Sequence, residues 1–91
     1  MVGKSVGEFA LSFGAALRRM RLAAGMTQEH LGFEAGIQRN FISLIELGQN
    51  QPTISTIARL ARALGIKASE LVAEAEREGH TGPKGRRKAG S

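Results

Sequence analysis

Phe9, Phe13, Ala16, Leu17 and Met20 recur at the spacing of one helix face. That stripe predicts an amphipathic α-helix over about 6–24. Ser5 and Glu8 stand three apart as a capping box, and Gly25 supplies a residue tolerant of the left-handed C-cap. Thr27 is a good N-cap for a second helix over roughly 28–35, which Gly36 breaks. A third helix is expected at about 38–47, ended by Gly48. Pro52 and Thr53 open a fourth, with Ile54, Ile57, Ala58, Ala61 and Leu64 on one face and Gly65 at its end. A fifth covers about 68–78 around Leu71, Val72 and Ala75. No segment alternates as a half-buried strand would, so the chain reads as all-α.

From Gly79 onward the apolar stripe stops. "GHTGPKGRRKAGS" is rich in glycine and holds Lys84, Arg86, Arg87 and Lys88 without an acid. Such a segment buries too little surface to offset the entropy of ordering. The expected organisation is one folded domain at 1–78 and a disordered basic tail at 79–91. The tail changes the meaning of the net charge of +5. Without it the chain carries 9 basic and 8 acidic groups, a net of +1. Any basic face on the folded part must come from arrangement. The tail itself reads as a solubilising end or as a flexible arm for phosphates.

The chain has no cysteine, so disulfides and thiolate metal sites are excluded. Apolar runs are short, and the N-terminus lacks the continuous apolar block of a secretory signal. A cytoplasmic protein away from membranes is expected. His30 and Glu34 stand at i, i+4, where an exposed helical pair is favoured over a metal site, and His80 falls in the tail. Phe33 and Phe41 read as core or half-buried packing, with Phe41 also able to brace a nucleic-acid backbone. Nothing pairs a nucleophile with a base or cradles a phosphate in glycines. No enzyme, cofactor, metal or small-molecule effector is expected.

The connection at Gly36-Ile37 is short enough to force helices 2 and 3 into a steep crossing. Gly36 allows the bend. Gly32 lets the backbones approach, although glycine inside a helix costs roughly 1 kcal/mol against alanine. Leu31, Ala35, Ile37, Ile42 and Ile45 form the inner seam. This is helix-turn-helix geometry, whose second helix enters the DNA major groove. Arg39 and Asn40 then meet the base edges, and Gln38 at the helix start can cap, touch phosphate or reach a base. Arg39 suits guanine and Asn40 adenine, each by paired hydrogen bonds. Ser43 and Leu44 lie one turn further, Leu44 able to touch a thymine methyl group.

The segment "MTQEHLGFEAGIQRNFISLIELGQNQPTISTIARLARALGIKASELV", with "LRRMR" before it, resembles the lambda-repressor-like, Cro-type (XRE) helix-turn-helix regulators. The small controllers of restriction–modification systems are especially similar. The resemblance spans about Leu17 to Val72 and implies a compact five-helix DNA-binding domain. It implies base reading by Gln38, Arg39, Asn40, Ser43 and Leu44. It implies backbone contacts from Gln28, Gln49, Asn50 and Gln51, with Gln28 also steadying the recognition helix, and Thr27 and Phe41 are further candidates for the backbone. Arg21 and Glu46 match a structural ion pair. The sequence departs from the family at Gly32, where Ala is common, and at Gln38 and Lys67, where Ser or Thr is common. Leu44 and Leu47 replace positions that are commonly polar or basic.

One such module reads too few base pairs to outcompete non-specific sites. A homodimer on a two-fold symmetric operator is the expected solution. Its surface is expected on helices 4 and 5, with Ile66, Leu71 and Val72 as candidates. The expected function is a sequence-specific transcriptional regulator, a repressor or autoregulator of bacterial type bound to double-stranded DNA. The alternative is an antitoxin or protein-interaction module on the same scaffold.

Overall fold

A computed structural model describes residues 6–80, with side chains from 7 to 78. It contains five helices: α1 (Val6–Ala23), α2 (Gln28–Ala35), α3 (Arg39–Glu46), α4 (Ile54–Leu64) and α5 (Ala68–His80). No strand occurs among the described residues. The α5 backbone continues through Gly79 and His80, two residues past the expected boundary. Ser5, half of the expected capping box, and the basic stretch 81–91 lie outside the described residues.

The helix starts follow their capping chemistry. The Thr27 hydroxyl accepts the His30 amide at 2.9 Å, and Thr53 accepts the Thr56 amide at 3.1 Å. Each such cap contributes about 1 kcal/mol. Lys67 has no acceptor to offer at the start of α5. The Glu70 carboxylate instead reaches back to accept the Lys67 amide at 2.8 Å, the returning half of a capping box. That contact caps the start of α5 without a Ser or Thr there.

Phe13, Leu17, Leu31, Ile42, Ile45, Leu60 and Leu71 are the fully buried large side chains. Every helix contributes at least one, so the core closes only when all five helices are in place. α1 packs along α5 and across α3, α2 meets α3 and α4, and α4 meets α5. The α1–α5 seam has a polar edge. Arg19 donates to Glu78 at 2.8 Å and to Glu74 at 2.9 Å, and Arg77 reaches Glu74 from the next turn.

Three expectations are corrected. On α4 Leu60 and Ala61 are buried with Ile57 and Leu64 half-buried against the core, while Ile54 is 86% exposed and Ala58 is exposed. Ile54 is the first helical residue and projects past the edge of the core. Phe33 is 83% exposed rather than packed, because the buried side of α2 is Leu31, Gly32 and Ala35. Leu71 lies wholly in the protomer's own core and offers no surface to a partner.

Candidate nucleic-acid interface

The turn between α2 and α3 sets the site. Gly36 takes φ +71°, a left-handed conformation that costs glycine little, and its amide donates back into the last turn of α2. The Ile37 amide donates to the Gly32 carbonyl at 2.8 Å. A β-carbon on Gly32 would stand 2.5 Å from the Ile37 carbonyl oxygen. The bare Cα of Gly32 therefore sets how closely α3 approaches α2.

α3 places its residues by the helical period. Ile42 and Ile45 point into the core and Glu46 is buried beside them. The opposite side presents Asn40, Ser43, Leu44 and Leu47. Arg39 and Asn40 are the first two helical residues and both are exposed. Arg39 forms no ion pair among the described residues, so its guanidinium fork is available to a ligand. Gln38 occupies the N-cap position, exposed and without a side-chain cap bond. The Phe41 amide donates to the Gln38 carbonyl at 3.0 Å, which leaves the Arg39 and Asn40 amides without a side-chain cap at the positive end of the helix.

A buried polar knot holds α3 in position. Arg21 of α1 donates from Nε to Glu46 at 2.7 Å and from a terminal nitrogen at 3.1 Å. It donates also to the Met26 carbonyl at 2.9 Å. Gln28 of α2 donates to the same carboxylate at 2.9 Å. Three helices thus converge on one carboxylate at the end of α3. The Gln28 amide keeps a second N–H, and the residue is only half-buried, so it can bond a phosphate without releasing Glu46. Thr27 beside it is exposed.

After α3 the chain turns through Gly48, and the Gln49 amide donates to the Leu44 carbonyl at 2.9 Å. Gln49 and Gln51 are exposed and Asn50 is half-buried, in the loop before α4. Phe41 is half-buried and packs on the core. Ser43 and Leu44 are half-buried. Ile37, Phe41 and Leu44, with Gln38 and Asn40, bound an open hollow of about 290 Å³ beside the exposed polar pair. The structure thus places Gln38, Arg39 and Asn40 at the start of α3 and Leu44 one turn after Asn40, with Thr27, Gln28 and the Gln49–Gln51 loop flanking the helix in the chain. Ile66 and Val72 are half-buried, away from α3 in the sequence.

Two features carried no local sequence signal. Gly14 of α1 sits against the end of α3, where a β-carbon would be 2.3 Å from the Ile45 carbonyl oxygen. Phe33, Glu34, Ala35 and Gly36 border a hollow of about 420 Å³ with Arg59 and Arg62 of α4. The His30 Nε2 and a Glu34 carboxylate oxygen stand 3.6 Å apart on the exposed side of α2, and no cluster of metal-ligating side chains occurs among the described residues. No described helix is long and apolar enough to cross a membrane.

The geometry agrees with comparisons to known proteins. The helix-turn-helix family HTH_3 matches residues 17–71. The control protein C.BamHI of Bacillus amyloliquefaciens is 36% identical over 63 residues, 68% of this chain and 78% of that one. The restriction–modification controller C.AhdI of Aeromonas hydrophila is 39% identical, with a TM-score of 0.67 over 68% of this chain and 94% of that one. The controller C.Esp1396I, solved as a tetramer with its natural 35 base-pair operator, shares the fold at a TM-score of 0.72 and 24% identity, over 78% of this chain and 93% of that one. An immunity repressor of Bacillus phage phi105 is 31% identical over 64 residues, 70% of this chain and 44% of that one. The chain belongs to the helix-turn-helix family of DNA-binding transcriptional regulators.

Proposed function

We propose that this chain is a repressor or autoregulator that binds a two-fold symmetric operator as a homodimer, with α3 in the major groove. The observation that carries the reading is the pairing of an exposed Arg39-Asn40 front with a buried Arg21–Glu46–Gln28 knot behind it. A merely solvated helix start needs no three-helix anchor. A reading head does, because base contacts demand fixed geometry. Arg39 takes a guanine and Asn40 an adenine, with Gln38, Ser43 and Leu44 at adjoining bases. Thr27, Gln28, Phe41, Gln49, Asn50 and Gln51 follow the sugar–phosphate backbone and set register. Ile66 and Val72, with the exposed side of α4, form the dimer surface. A regulator of this kind works in the cytoplasm without a cofactor or effector.

The test begins with selection of a binding duplex from a random library, followed by fluorescence anisotropy in a salt series. The selected duplex should bind roughly a thousandfold tighter than unselected DNA. Arg39→Ala should remove that preference while leaving helicity and dimerisation intact. One observation favours a second reading, as a protein-interaction module or antitoxin. Phe33 is exposed beside Arg59 and Arg62, an aromatic and cationic set typical of protein interfaces. That reading predicts indifference to Arg39→Ala and no duplex enriched by selection.

A further inference from the structure

Leu44 is half-buried on α3, and the surface beside it is walled largely by apolar side chains. The hollow of about 290 Å³ on α3 is walled by Ile37, Phe41 and Leu44, all half-buried. Gln38 and Asn40 complete its lining, and no charged side chain does. Its place at the front of the reading helix is unusual for apolar surface, since phosphates and most base edges are polar. Within the major groove one base-edge group matches an apolar wall, the methyl on C5 of a pyrimidine. Thymine carries that methyl, and so does cytosine after C5 methylation. The two project it at the same place.

We propose that the Ile37–Phe41–Leu44 hollow seats the C5-methyl group of a pyrimidine, so that the operator affinity of this protein responds to cytosine methylation as well as to sequence. The proposal rests on the reading of α3 as a major-groove helix. Asn40 lies both on the hollow and among the base readers, so the methylated pyrimidine falls at or beside the base pair that Asn40 reads. The hollow is large enough to admit the edge of a base, and the methyl enters as part of that edge. Burial of one methyl group in an apolar site corresponds to about fourfold in affinity.

The experiment uses the full chain and a duplex selected from a random library. Each thymine of that duplex is replaced singly by deoxyuridine, which removes the methyl and nothing else. At one position in each half-site, the replacement should weaken binding about fourfold. At that same position, 5-methylcytosine should bind more tightly than cytosine by a similar factor. In Leu44→Ala, an alteration at a half-exposed position, both differences should shrink toward unity. If a duplex is selected, and Arg39→Ala abolishes its recognition, yet deoxyuridine is tolerated at every position, the methyl site is overturned and the regulator reading stands. If the deoxyuridine penalty persists unchanged in Leu44→Ala, the methyl is read elsewhere and the assignment to this hollow is overturned. If no duplex is enriched at all, the major-groove reading fails, and the methyl site with it.

Discussion

Gly14 of α1 lies so close to Ile45 of α3 that a β-carbon would stand 2.3 Å from the Ile45 carbonyl oxygen and 2.6 Å from that of Glu46. The neighbouring atoms are backbone, which cannot rotate away as a side chain would. Gly14→Ala gains helix propensity of about 1 kcal/mol. It must also push α1 from the end of α3, and overpacking of this kind costs about 1–3 kcal/mol. The clash is severe enough for the second effect to win. Chemical denaturation should show a net loss of up to about 2 kcal/mol, and DNA affinity should fall with it because α3 moves. A variant as stable as the parent would show that α1 and α3 are not held at this distance.

Glu46→Ala removes the acceptor shared by Arg21 and Gln28. Arg21 is then left 6% exposed with the Met26 carbonyl as its remaining partner. Stranding a buried charge costs about 3–5 kcal/mol, far more than the worth of the pair itself. The urea midpoint should drop steeply. Replacing both charges together, as Arg21→Met with Glu46→Leu, should return most of the loss, since packed apolar side chains need no counterion. Equal instability of the single and double variants would mean that the pair contributes shape rather than charge balance. The double variant should bind operator less tightly even when stable, because Gln28 loses its tether to α3.

Those two sites mark where the sequence was legible and where it was not. The limits of α2 were readable because Thr27 and Gly36 are local chemical signals, an acceptor at one end and a left-handed turn at the other. The exposure of Arg39 and Asn40 followed from the same punctuation, since Gly36 fixes where α3 must start. Gly14 was silent. Its constraint is a contact with a helix distant in sequence, and a glycine inside an amphipathic stripe looks like a weakness. Ile54 continued the i+3/i+4 series of α4, but periodicity says nothing of where the core ends. Leu60 carries the buried position instead. Phe33 defeated a general expectation for aromatic residues, and α2 shows why: its inner side is filled by Leu31, Gly32 and Ala35. The Arg19 contacts were illegible because exposed arginines on α1 have many possible partners until α5 is placed.

The clasp between α1 and α5 titrates in acid. Arg77 and then Arg19 hold the Glu74 carboxyl below its ordinary value of 4.5 by hydrogen bonding its charged form. Glu78 and then Glu74 push the Arg19 guanidinium further up, beyond any accessible pH. A carboxyl depressed in the folded state stabilises the fold above its unfolded value and ceases to as pH falls through the folded one. The contribution of Glu74 is therefore full above about pH 4.5, declines below it, and is gone once the pH has fallen through the depressed folded value. Thermal melts of the parent and Glu74→Gln should differ at neutral pH and converge in acid. The difference should also shrink with added salt, since the groups face solvent. A gap that stays constant from neutral to strongly acidic pH would rule out charge as its origin.

Ile54 offers the cleanest probe of the proposed dimer. It is 86% exposed at the first position of α4, so a polar replacement there leaves the core untouched. Ala58 follows one turn later on the same exposed side. A large apolar side chain displayed to water on an element expected to meet a second copy gains most from being covered, about 1.5–3 kcal/mol for full burial. Ile54→Glu would introduce a like charge against its symmetry mate in a two-fold contact. Sedimentation equilibrium should show dimerisation weakened by roughly tenfold or more, corresponding to about 1.4 kcal/mol. Circular dichroism and melting temperature of the isolated protomer should be unchanged. Binding to a full operator should weaken while binding to a half-site does not, because only the former draws on the dimer. An Ile54→Glu protein that dimerises like its parent would move the self-association surface off this end of α4, toward Ile66 and Val72.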